Sequence, residues 1–150
     1  ASTSPSTFVP SPPVPYEHLD HTGDIAVRVT ASTLGELFTE SARAMTEIIA
    51  DASTARPQLA DEIVVEGEDL PELVRNWLSE LLFRFSARGM IYVAFTVTSA
   101  TERRLEAVAR GERYNPDRHP LRTELKAVTW HQLEAERTAD GWRAQVIFDV

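Results

Sequence analysis

Carboxylates gather near the two ends of the part of the chain that reads as folded. Asp20 and Asp24 belong to the segment Leu19-Asp20-His21-Thr22-Gly23-Asp24-Ile25, and Asp149 interrupts the run Val146-Ile147-Phe148-Asp149-Val150. With the terminal carboxylate at Val150 these give four carboxylates, which repel one another at close range unless they are protonated or bridged by a cation. Oxygen ligands of this kind suit a hard divalent cation, calcium or magnesium. The candidate chemistry is therefore metal binding by Asp20, Asp24, Asp149 and Val150. If residues 20–24 are extended, alternate side chains share a face, so Asp20, Thr22 and Asp24 line one side and Gly23 lets the backbone bend. In the last segment Trp142, Ala144, Val146, Phe148 and Val150 share one face, and Arg143, Gln145, Ile147 and Asp149 the other. The competing reading is a solvated turn at one end and a frayed, exposed aspartate at the other. The two groups meet only if the first and last strands are neighbours, which spacing does not decide.

Other chemistries find little support. His18, His21, His119 and His131 lack zinc-like spacing. There is no phosphate-binding glycine loop and no serine nucleophile elbow. Lys126, in Glu124-Leu125-Lys126-Ala127-Val128, is either a solvent-facing lysine on a strand or a cation that contacts a phosphate or the acidic cluster. The chain has 150 residues, 43% of them hydrophobic, enough for one domain with a real core. A net charge of −8 argues against a phosphate-gripping surface, so no direct binding of nucleic acid is expected. The absence of cysteine excludes thiolate chemistry and fits a reducing compartment. No apolar run approaches the ~20 residues that span a bilayer, and the first residues lack the apolar core of a signal peptide. A cytoplasmic protein without a membrane contact is expected.

The elements that must position these groups begin after a tail. Residues 1–15 carry five prolines among serine and threonine, too little apolar surface to offset the entropy of ordering. From Tyr16 to Val150 one domain is expected. Ile25, Val27 and Val29 alternate as a half-buried strand does. Thr33 and Glu36 form a capping box for a helix to about Ala50. Ile63, Val64 and Val65 make a short strand. Asp69 and Pro71 start a second helix whose stripe runs Leu70, Leu73, Val74, Trp77, Leu78, Leu81, Leu82 and Phe85, and Gly89 ends it. The remainder alternates as strands over Ile91–Val97 and Leu105–Ala109. Two further strands, over 121–130 and 132–137, flank a kink at His131. The last strand is 142–150, after the Asp140-Gly141 turn. The economical solution is an α+β two-layer sandwich, two helices on one mixed, mainly antiparallel sheet.

An ordered set of segments resembles the archease family. It comprises YEHLDHTGDI from Tyr16, TLGELF from Thr33, LVRNWLSELLF from Leu73, Gly111-Glu112, ELKAVTWH from Glu124, Gly141-Trp142 and VIFDV from Val146. The resemblance covers Tyr16 to Val150. The family usually has alanine where Gly23 stands and often an acid where Ser32 stands, so no role of that acid carries over. The resemblance implies an accessory protein of the RtcB-type RNA ligase, which joins RNA ends bearing a 2′,3′-cyclic phosphate or 3′-phosphate to a 5′-hydroxyl with GTP and divalent metal. It implies a chain that is not itself an enzyme but promotes ligase guanylylation and multiple turnover in tRNA splicing or RNA repair. Metal-site and activity residues would map onto Asp20, Asp24 and Asp149, with Val150 joining them and Lys126 as a basic residue for partner binding or activity. Two other readings stand beside it. One is a general chaperone or adaptor with a structural calcium site. The other is a metal-dependent phosphohydrolase, for which no set of residues is evident. The spacing leaves the oligomeric state open.

Overall fold

The computed structural model describes residues 16–21 and 23–150, with side chains described from residue 23 onward; the expected tail at residues 1–15 lies outside the described residues. Strand β1 (Tyr16–His21) folds back on β2 (Asp24–Ala31), with His21 opposite Asp24. Gly23 lies between them at φ +76°, a conformation glycine adopts without a Cβ clash. Asp20 and Asp24 thus lie on two paired strands and not on the single extended segment that alternation suggests.

Helix α1 (Leu34–Ile49) starts at the expected capping box. The Thr33 hydroxyl accepts from the Glu36 N–H at 3.1 Å, and the Glu36 carboxylate accepts from the Thr33 N–H at 3.2 Å. A single 3₁₀ turn, Ala52–Thr54, leads into β3 (Leu59–Glu66). Helix α2 (Leu70–Arg88) opens on Asp69, whose carboxylate accepts from the Glu72 N–H at 3.0 Å, and ends on Gly89 at φ +68°. Its expected stripe from Leu70 to Leu82 is buried, with Phe85 partly so. Strands β4 (Met90–Ala100) and β5 (Arg104–Arg113) follow, and then an irregular stretch. The chain ends with β6 (Ala127–Val128), β7 (Glu134–Thr138) and β8 (Gly141–Asp149).

The α+β class holds, but the strands make two sheets where one mixed sheet was expected. The larger runs β1-β2-β8-β6, with β7 also on β8, and the smaller runs β3-β5-β4; every pairing is antiparallel. The helices explain the division. In α1 nine of sixteen residues are buried, a wider face than one sheet would cover. It packs on β2 and β8 of one sheet and on β4 of the other, while α2 reaches both sheets from its own sides. Trp77 sits at the centre with no exposure, its indole N–H donating to the Phe38 carbonyl at 2.9 Å. The sheets also meet a steric demand. A Cβ on Gly111 would lie 1.7 Å from the Ile91 carbonyl oxygen, so β4 and β5 close only over glycine. No helix among the described residues is long and apolar enough to cross a membrane.

The segment 121–130 was expected as one strand. Only Ala127–Val128 pairs regularly, and the chain turns at Gln132, whose φ is +49°. The reason lies in where its polar groups go. Pro120 has no N–H, Leu121 bridges Ala50, and the Arg122 N–H donates to the Ile49 carbonyl at 2.8 Å. A buried cluster anchors the upstream half. Glu112 and His119 are 5% and 1% exposed, and His119 Nε2 donates to Glu112 Oε1 at 2.6 Å. Arg118 also donates to that oxygen. Burial alone would push the Glu112 carboxyl up. The hydrogen bonds from His119 and the Arg56 main chain, with the positive charge of Arg118, outweigh it and leave the carboxyl below its ordinary range.

Two outcomes are expected. Trp77→Ala should destabilise by about 3–5 kcal/mol, read as a lower urea midpoint with an unchanged slope; a loss under about 1 kcal/mol would mean the core is not centred there. Because the Glu112 carboxyl lies lower in the folded chain, its contribution is complete above the ordinary glutamate range and is lost as pH falls through the folded value. The stability gap between the native chain and Glu112→Gln should therefore narrow from about pH 7 to about pH 3. Urea titrations at a series of pH values check this, and a gap that widens on acidification contradicts it.

Candidate functional site

The two ends of the domain meet. Strand β8 lies between β2 and β6, and Asp149 stands opposite Asp24 on one side and opposite Ala127 on the other. The Lys126 N–H donates to the Asp149 carbonyl at 2.7 Å. Asp149 is therefore held from both flanks, which removes the frayed-end reading for its backbone. Directly opposed residues of an antiparallel pair share a face, with Cβ atoms about 4.5–5.5 Å apart. Asp24 is half-buried and Asp149 exposed, so the pair opens to solvent at the edge of the core. One rung inward the pairing is Ile25 with Phe148, where Phe148 is buried.

The other proposed residues gather at the same end to different degrees. Asp20 stands opposite Ile25, one register step from the Asp24–Asp149 rung, and on a separate strand from Asp24. Its side chain lies outside the described residues. Val150 directly follows Asp149 and is half-buried. Lys126 is exposed, and its main chain touches Asp149. Among the described residues no group of three or more histidines, cysteines or acids is close enough to hold a metal ion. The described donor set is two aspartates. These fit a magnesium ion, which keeps several waters and is commonly held by one or two carboxylates, while a calcium ion would need further oxygen ligands to fill its larger shell. The set lacks the nitrogen and sulfur donors that zinc prefers.

Sequence reasoning missed what delivers Lys126. The stretch 114–126 has no regular structure, yet it is fastened along its length. Asn115 makes a turn in which its carbonyl accepts from the Arg118 and His119 N–H groups at 3.0 and 2.8 Å. The Arg122 guanidinium donates to the Glu47 carboxylate at 2.8 Å and to the Glu47 carbonyl at 3.0 Å, and lies 3.8 Å from Asp51. The only available signal was a histidine and two arginines in a proline-flanked loop, which has no periodicity to betray its partners.

Comparison with known proteins agrees with this architecture. Residues 16–150 match the Archease protein family (MTH1598/TM1083). The chain is similar to Protein archease of Methanosarcina acetivorans, 42% identical over 146 residues that cover 95% of this chain and all of the relative. It is similar to that of Methanopyrus kandleri, 41% identical over 140 residues that cover 91% of this chain and all of the relative. A solution structure of a Methanobacterium thermoautotrophicum protein superposes with a TM-score of 0.76 at 28% identity, covering 91% of this chain and 99% of that one. A crystal structure from Thermotoga maritima, described as an archease and possible chaperone, shares the fold with a TM-score of 0.62 at 20% identity, covering 95% of this chain and 98% of that one. This chain, matched from Tyr16 to Val150, belongs to the archease family.

Proposed function

We propose that this chain is a non-enzymatic activator of an RtcB-type RNA ligase, acting through a divalent cation held at the Asp24–Asp149 rung. The observation that carries the reading is the rung itself. In a family member, two aspartates far apart in sequence are placed opposite each other on neighbouring strands. Like charges directly opposed across a sheet are destabilising, so the placement calls for a cation more than for stability. Asp24 and Asp149 would hold the ion, with Asp20 one register step away across β2 and Val150 next to Asp149 in the chain. A bound cation would supply Lewis-acid stabilisation of charge on the phosphates of GTP during ligase guanylylation.

The chain's own residues have simpler tasks. Asp24 and Asp149 keep negative charge at an exposed edge, where a positive nucleotide site can approach. Paired on both flanks, β8 keeps the Asp149 backbone from retreating. Lys126, exposed beside it, would meet a phosphate as a point charge. No reaction is assigned to the chain, and its acidic balance suits contact with a positive RNA-holding surface better than with RNA. A second reading is a general chaperone with a structural calcium, favoured by the description of the Thermotoga maritima relative as a possible chaperone.

Two measurements test the site. In chelator at low ionic strength, Asp149→Asn should stabilise the fold by roughly 0.2–1 kcal/mol, because it removes one of two opposed charges. Saturating calcium or magnesium should raise the melting temperature of the native chain and leave that of Asp149→Asn unmoved. A native chain indifferent to both ions would remove the metal. For function, the native chain should accelerate guanylylation and multiple-turnover joining by an RtcB-type ligase while joining no RNA alone. Asp149→Ala should abolish the acceleration, and adding Asp24→Ala should change little, since residues acting as one unit are not additive. Full stimulation by Asp149→Ala would defeat the mechanism. Absence of stimulation by the native chain, with protection of unrelated unfolded proteins, would favour the chaperone reading.

A further inference from the structure

We propose that Glu112 and His119 are positioning residues for the candidate site: by pinning the irregular segment 114–126 they deliver the Lys126 main chain onto Asp149. Only the link to ligase activation rests on the function proposed above. The placement of Lys126 rests on this structure alone.

The starting point is an ordering problem. Thirteen residues without regular structure are expensive to order, and stretches of this length in compact domains usually serve a function. Apolar burial does little to hold this one. Within it only His119 and Leu125 are buried, at 1% and 5% exposure. The fastening is polar, and the fasteners come in sequence. The first is the Glu112 carboxylate at the end of β5, which accepts from His119 and Arg118 and from the Arg56 main chain in the loop after α1. The second is Arg122, tied to Glu47 and to the Ile49 carbonyl at the end of α1. The third is the bond from the Lys126 N–H to the Asp149 carbonyl.

Each fastener sets the direction for the next. His119 Nδ1 accepts from the Asn115 N–H at 2.8 Å, so its ring proton belongs on Nε2, where it meets Glu112. The imidazole is thereby fixed at both nitrogens. Pro120 follows directly, and its locked φ limits the directions the chain can take from that anchor. Leu121 then bridges Ala50, Leu125 drops into the core and Lys126 reaches β8. A buried charged cluster is weak evidence for stability, because desolvation offsets much of the attraction. What its hydrogen bonds fix is the position of the His119 ring between Asn115 and Glu112. From that anchor the chain leads to the strand bearing Asp149.

The test reads the main chain directly. Amide hydrogen exchange by NMR on the full chain, without metal, should show protected Lys126 and Thr129 N–H groups in the native protein. In Glu112→Ala, which removes the acceptor, the Lys126 amide should exchange about tenfold faster or more, the scale of one lost net hydrogen bond, while Val27 and Val146 in the β2–β8 pair stay unchanged. If Glu112→Ala fails to fold, Arg118→Ala at the exposed rim of the cluster takes its place with the same expectation. His119→Gln, which keeps a donor where Nε2 stood, should retain more of the protection than His119→Ala. Such rescue follows from positioning and not from generic loosening. Unchanged exchange at Lys126, or equal acceleration across β2 and β8, overturns the proposal. Ligase stimulation by the same variants should fall in the order of their Lys126 exchange. If the native chain stimulates no ligase yet the exchange pattern appears, the positioning role stands and only the proposed function fails.

Discussion

The large sheet depends on β8 being its central strand. It pairs with β2 from Gly141's neighbour Trp142 to Asp149 on one edge, and with β7 and then β6 on the other. Five successive residues, Ala144 to Phe148, are buried. This strand comes last in the chain and pairs with one of the first, so its main-chain ladder joins residues more than a hundred positions apart. Such pairing is bought with loop-closure entropy and tends to form late. Everything at the candidate site follows from it. Asp24 has no acidic neighbour across the sheet until β8 inserts, and β6 has nothing to pair with.

The parts that were legible in sequence are those determined locally. The capping box at Thr33 and Glu36, the Asp69 cap, the Gly89 terminus and the α2 stripe each rest on residues within one or two helical turns, where spacing carries the information. Asp149 could be singled out because an acid in an apolar run is conspicuous, and Asp20 and Asp24 because two acids four residues apart offer oxygen ligands. That Asp24 and Asp149 face each other depended on strand order, which no local pattern encodes. The division into two sheets was hidden for a related reason. Alternation identifies a strand and says nothing of which sheet receives it. The 121–126 stretch misled because Leu121 and Leu125 would share a face of an extended chain, while its hydrogen bonds go to the end of α1.

Charge is used in two ways in this acidic chain. On the surface, single arginines gather pairs of acids: Arg104 takes Glu66 and Glu106, and Arg143 takes Glu134 and Glu136. Exposed pairs of this kind contribute little to stability, and they chiefly dilute the negative charge along the strands that carry them. The Glu112 cluster is different, being buried and shared among three segments. Its hydrogen bonds hold a loop to the frame, so its worth lies in geometry. Lys126 also has its place through geometry: its main-chain N–H meets the strand that carries Asp149 just before β6 begins.

The placement of the aspartate rung also limits how its repulsion can be relieved. Two like charges on a free hairpin end would move apart by fraying. Here the Asp149 backbone is paired on both sides, and the adjacent rung carries Phe148, which is 1% exposed. Separating the strands at Asp149 would pull at that buried ring, and the penalty of exposing a core aromatic, about 1.5–3 kcal/mol, exceeds the roughly 0.2–1 kcal/mol of repulsion between opposed charges. The two aspartates are therefore held opposite each other instead of being released by fraying. Under the function proposed above, a cation would meet a pair whose backbone is already fixed, and a preorganised pair needs a rigid frame behind it. The core supplies that frame.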